Sequence, residues 1–124
     1  MTPKNFSDVS KWADVIYIPG GNPFTLKQKI ESCGNVAKLW DRKIIAGSSA
    51  GADLFCVGFA YLQEKTFGHG LGWVKATCIP HWRSDFNDYT DQDWDWAEQE
   101  SLKQFPDLPI LCIQESDFVE FSVN

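Results

Sequence analysis

The sequence predicts an α/β domain built on a mainly parallel sheet covered by helices on both faces. Three observations carry that expectation. Short runs such as DVIYIP and KATCIP are apolar nearly throughout, as strands buried on both faces are. Helical patterns alternate with them along the chain. Glycine and proline clusters punctuate the joins.

Taken in order, DVIYIP (14–19) is a β-branched strand ended by the breaker cluster GGNP. PFTLKQKIESCG follows as a helix, with Pro23 suited to its first turn and Gly34 to its end. NVAKLWDRK reads as a second short helix, KIIAG (43–47) as a strand, and GADLFCVG as the helix after it. KATCIP (75–80) is a third strand and DQDWDWAEQESLKQF a helix. LPILCIQ and DFVEFSV are expected as two last strands, split by ESD. There are no repeats, linkers or low-complexity segments, so residues 1–124 are expected to form one domain.

Composition narrows the function classes. The apolar fraction is 44% and the charged fraction 23%, the balance of an ordinary globular protein. A net charge of −6 argues against nucleic acid, which needs a clustered positive face. No apolar run is long enough to span a membrane, and MTPKNFSDVSKW lacks a signal peptide's layout, so the expected location is cytoplasmic. Cys33, Cys56, Cys78 and Cys112 are widely spaced without a C-x-x-C pair, which reads as four inert thiols. Asp91, Asp93 and Asp95 imitate the start of a calcium loop, but Trp96 and Leu102 occupy the places of the required glycine and glutamate. Neither a metal nor a cofactor is expected. The acidic run reads instead as a loop and helix start, with Trp94 or Trp96 packing inward.

The stretch GSSAG (47–51) fits G-x-S-x-G, with Ser49 central and Ser48 only a spacer. A serine on a sharp strand-to-helix turn projects its hydroxyl, and the flanking glycines leave room for close chain packing. Backbone N–H groups at the start of the following helix then face an anionic intermediate. A serine nucleophile needs a base, and the chain has two histidines. His81 directly follows KATCIP, at the carboxyl end of a strand, the edge on which the serine turn also lies. His69, in GHGLGW, falls in a glycine-rich loop that no expected strand fixes. These positions favour His81 as the base. GHGLG makes a weak phosphate loop, because no helix signal follows it.

With ADVIYIPGGNPFTL, AGSSAGAD and CIPHW in that order, residues 10 to 82 resemble the serine peptidase family of dipeptidase E and cyanophycinase. The resemblance implies a class I glutamine amidotransferase-like, flavodoxin-like fold, a three-layer α/β/α sandwich. It implies Ser49 as nucleophile, His81 as general base, and an oxyanion hole from the N–H groups of Gly21 and Ala50. Gly20 and Asn22 of PGGN join the substrate-binding set. The family's acidic residue lies fifteen to eighteen positions after the serine, which Glu64 matches best; Asp53 and Asp85 remain alternatives. An acidic substrate side chain would need a cation, for which Arg83 is the nearest candidate.

Family members are longer, and this sequence starts just before the strand that leads to PGGN, so the family's first strands and helices are expected to be missing. The expected sheet is therefore truncated, with an exposed edge that invites a homodimer. The expected activity is a serine exopeptidase of the dipeptidase E type, acting on small peptides, with an N-terminal aspartate as the implied preference. The alternatives are an inactive homologue serving as a binding or assembly module, or an esterase or amidase on the same scaffold.

Overall fold

Side-chain caps fix where three helices begin. In the computed structural model, which describes residues 3–121, Asn22 Oδ1 accepts from the N–H groups of Phe24 and Thr25 at 2.9 and 3.1 Å and starts α2 (Pro23–Glu31). Asn35 caps α3 (Val36–Leu39) through the Lys38 N–H. Thr90 and Asp93 form a reciprocal capping box at the head of α5 (Asp91–Gln104). The two further helices are α1 (Pro3–Trp12) and α4 (Ala50–Phe55).

The strands fall into two sheets rather than one. β1 (Val15–Ile18) and β2 (Ile44–Gly47) pair in parallel, from Val15 opposite Ile44 to Ile18 opposite Gly47. The larger sheet has the order β4-β3-β5-β6, with β3 (Cys56–Tyr61), β4 (Thr66–His69), β5 (Val74–Pro80) and β6 (Ile110–Ile113). The pairs β3–β5 and β5–β6 are parallel, and β3–β4 is antiparallel. Parallel pairing thus dominates, as the unbroken apolar strands led one to expect.

α4 packs against strands of both sheets and against α2. On the larger sheet, α5 packs against β3, β5 and β6. Two cores result. One joins Ile18, Ile30, Val36, Trp40, Leu54 and Phe55; the other joins Ala60, Leu62, Ile79, Trp94 and Ala97. Trp94 is the indole that fills the second core, while Trp96 is half-buried at its margin under the Lys65 ammonium. Trp40 anchors the first, donating its Nε1–H to the buried Ser10 hydroxyl at 3.0 Å and so pinning α1.

Three sequence expectations need correction. GADLFCVG is not one helix: α4 stops at Phe55 and Cys56, with extended backbone, opens β3 directly. His69 is not in a loop, but ends β4, with its ring edge-on to Phe67 and Phe105. DFVEFSV forms no strand over its described residues 117–121, and its remaining residues lie outside them. α1, which the sequence reading left unassigned, is a helix whose Phe6 meets Trp40. Among the described residues, no helix is long and apolar enough to cross a membrane.

Candidate active site

β2 ends at Gly47, and the chain turns within two residues into α4. Ser49 sits at the bend with φ 55° and ψ −115°, a conformation that non-glycine residues rarely adopt. The glycines explain how the bend closes. A Cβ on Gly51 would collide with the Ile18 carbonyl of β1, and one on Gly47 with the Gly51 backbone. Gly20 lies against the other side, where an added Cβ would stand 3.2 Å from that of Ser49. The PGGN turn and the serine bend are thus packed on each other.

His81 follows β5 and also has positive φ, 58°. Its Nε2 is 3.0 Å from Ser49 Oγ, and its Nδ1 is 2.5 Å from Glu115 Oε1. With Glu115 ionised, Nδ1 carries the proton and donates it to the carboxylate. Nε2 is then the acceptor, so the Ser49 hydroxyl donates to it. Phe86 stacks on the imidazole face at a centroid distance of 3.8 Å and an interplanar angle of 8°. The ring is therefore fixed at both nitrogens and on one face.

Glu115 follows β6, one strand beyond β5 in the sheet. Serine, histidine and glutamate therefore come from the carboxyl ends of β2, β5 and β6. The carboxylate that meets the imidazole is Glu115, and Glu64 makes no contact with it; Glu64 lies in the turn between β3 and β4. Asp85 precedes the short 3-10 turn at Phe86–Asp88 without a side-chain capping bond and is likewise not paired with His81. Asp53 is buried within α4. Neither Glu115 nor Phe86 was singled out from the sequence. The available signal for Glu115 was its position after a parallel strand expected to share the site's edge of the sheet.

The remaining predicted site residues divide. Gly21 and Ala50 line a cleft of about 70 Å³ together with Ser49, Asp53 and His81. Gly20 supports the serine bend, and the Asn22 carbonyl caps α2. Arg83 does not line that cleft and is paired with acidic neighbours. Its guanidinium binds Asp95 at 2.6 Å and Asp91 at 3.4 Å and lies over the Trp82 ring, and the Asp95 hydrogen bond chiefly raises its pKa. On its other side the Ser49–His81 pair borders a groove of about 1000 Å³, lined by β2, by Leu111 and Ile113, and by the chain from Gln114 to Phe121.

Beneath the cleft, Asp53 sits with the buried thiols of Cys56 and Cys78. Burial chiefly, then the Cys56 charge, pushes its carboxyl well above the ordinary range, against a weaker hydrogen bond from Cys78. The Cys78 thiol is likewise pushed up, first by its hydrogen bond with Cys56 and then by burial. All four cysteines are free. No cluster of metal-ligating side chains occurs among the described residues.

A strained serine hydrogen-bonded to an imidazole that is itself bonded to a carboxylate is the arrangement that activates a hydroxyl for attack on an acyl carbon. Comparison with known proteins agrees with that chemistry at the level of family: residues 1–122 match the family model described as Peptidase family S51. Neither the curated proteins nor the solved structures give a match. With nearly its whole length matched and a serine bend of this geometry, the chain belongs to peptidase family S51, a family of serine peptidases.

Proposed function

We propose that the protein is a serine exopeptidase of the dipeptidase E type that hydrolyses small peptides. The carrying observation is the continuous chain of hydrogen bonds from Ser49 through His81 to Glu115. Ser49 Oγ attacks the scissile carbonyl while Nε2 of His81 takes its proton. The imidazolium then delivers that proton to the leaving amine, and water repeats the sequence on the acyl-enzyme. Glu115 is the positioning acid, in place of Glu64. The backbone N–H groups of Gly21 and Ala50 serve as oxyanion donors, since both residues border the cleft that Ser49 enters.

An N-terminal aspartate is the implied preference, with Arg83, which also pairs with Asp91 and Asp95, as its candidate cation. Free thiols throughout suit a reducing, cytoplasmic setting. A second copy of the chain is proposed to pair along the small sheet, beside which Val15, Tyr17 and Ile44 are exposed. The test of activity is fluorophosphonate labelling. The wild type should label rapidly and Ser49→Ala should not; equal labelling of the two would sink the catalytic reading. An esterase would instead turn over aryl esters while leaving every aminoacyl amide intact.

A further inference from the structure

The segment that joins β5 to α5, residues 81–90, takes left-handed backbone at four non-glycine positions. His81, Arg83, Asn87 and Asp88 have φ of 58°, 50°, 54° and 52°. Such conformations persist only where surrounding contacts hold them. Arg83 ties the segment to Asp91 and Asp95 of α5, and Ser84 Oγ accepts the Phe86 N–H at 3.1 Å. The Phe86 ring meets Tyr89 at a centroid distance of 6.4 Å, and Tyr89 stands edge-on to the buried Trp94 at 5.7 Å. What this scaffold presents is a phenyl ring, 43% exposed, laid flat on the His81 imidazole.

Resting on the exopeptidase reading above, we propose that Phe86 is a positioning residue that keeps the His81 ring in aim while its bond to Ser49 is broken. Before attack, the ring is held by Ser49 at Nε2 and by Glu115 at Nδ1. Bonds to ring nitrogens run near the ring plane, so they oppose rocking about the line between the two nitrogens only weakly. During attack Nε2 takes the Ser49 proton and Oγ bonds to the acyl carbon. The Nε2–H must then be passed to the leaving nitrogen as the C–N bond breaks. In that interval the remaining tether is Glu115, whose side chain is 57% exposed to competing water. The Phe86 face, at 3.8 Å and 8°, confines the ring to movement within its own plane, the movement that carries the proton from one partner to the other. It also lies against the ring in its cationic state, which a π face attracts.

Kinetics and NMR test this separately. On an N-terminal aspartyl dipeptide, Phe86→Ala should lower kcat by about 10- to 100-fold with KM within about threefold, the pattern of a misplaced reacting group. Phe86→Leu, bulky but without a flat face, should lose nearly as much, and Phe86→Tyr should recover most of the rate. Unchanged kcat in Phe86→Ala, a rise in KM alone, or leucine serving as well as tyrosine each overturns the proposal. By NMR, the His81 ring protons should lie upfield under the phenyl ring and show nuclear Overhauser contacts to the Ser49 β protons. A His69→Gln chain identifies which of the two imidazoles is His81. Phe86→Ala should remove the upfield shift and weaken the Ser49 contacts, and Phe86→Tyr should keep both. Equal Ser49 contacts in wild type and Phe86→Ala overturn the proposal whether or not the chain turns over substrate. If Phe86→Ala does not fold, as circular dichroism would reveal, the comparison of Phe86→Leu with Phe86→Tyr decides. Failure of the exopeptidase reading looks different: wild-type Ser49 would resist fluorophosphonate labelling while the His81 signals still responded to Phe86→Ala.

Discussion

The two sheets of this molecule are unequally protected. In the larger one, Ala76, Thr77, Cys78 and Ile79 of β5 are fully enclosed between α4 and α5. In the smaller one, Val15, Tyr17 and Ile44 are more than half exposed. Two-stranded pairs are marginal by themselves, so the small sheet depends on α4 and on the core around Trp40. The proposed chemistry straddles this divide. Ser49 is carried by the exposed sheet, whereas His81 and Glu115 are carried by the enclosed one. The lesson is that base and acid are set by the stable body, and the nucleophile is brought to them through packing of α4.

The sharpest break in that arrangement is Ser49→Ala, which should lower kcat/KM on a small peptide amide by a factor on the order of 10⁴ to 10⁶ while leaving the circular dichroism unchanged. Next comes the choice between acids. Glu115→Ala should cost roughly 10² to 10⁴ in kcat, and Glu64→Ala, on the turn of the same sheet, should cost little. The reverse ranking would restore Glu64 to the triad. In stability, Trp94→Ala should remove about 3–5 kcal/mol, read from denaturant melts. By contrast Ile44→Thr on the small sheet should stay within about 0.5 kcal/mol.

A finer contrast concerns pH. Because the folded pKa of Asp53 is raised, the native state holds a proton that the unfolded chain releases above its ordinary value. Asp53 therefore contributes stability that is full below about pH 4, the unfolded carboxyl's range. That contribution is lost as pH rises through the folded value. Asp53→Asn should flatten this decline, so that wild type and variant diverge in melting temperature as pH increases. A modest effect is expected at Thr90, whose replacement by alanine should cost about 1 kcal/mol by opening the capping box of α5.

The legible parts of the sequence were those with punctuation. β1 and β2 end in glycine turns, and the Thr90 cap precedes a long helical run, so strand, bend and helix could be placed. The hairpin β3–β4 was hidden because α4 passes into β3 without a breaker. Its turn also takes positive φ at Lys65, 51°, where glycine or asparagine would have advertised it. Asp93 and the Trp96 ring hold that lysine, supplying by tertiary contact what the local sequence omits. DFVEFSV failed in the opposite sense: its composition suits a strand, yet residues 117–121 pair with none. Ser49 and His81 could be matched because each stands within two residues of the end of its strand. Glu115 stands 34 residues beyond His81, and only the adjacency of β6 to β5 brings them together.

Glu115 differs from most orienting acids in one respect with a practical consequence. Its side chain is 57% exposed, so the far end of the hydrogen-bond chain opens to bulk water. A space vacated there by Glu115→Ala could be refilled from solution. Formate or acetate, small enough to enter and charged alike, should restore part of the lost rate in a saturable way, whereas chloride at equal ionic strength should not. The carboxylate would then be a replaceable part of the machinery, supplied by the buffer.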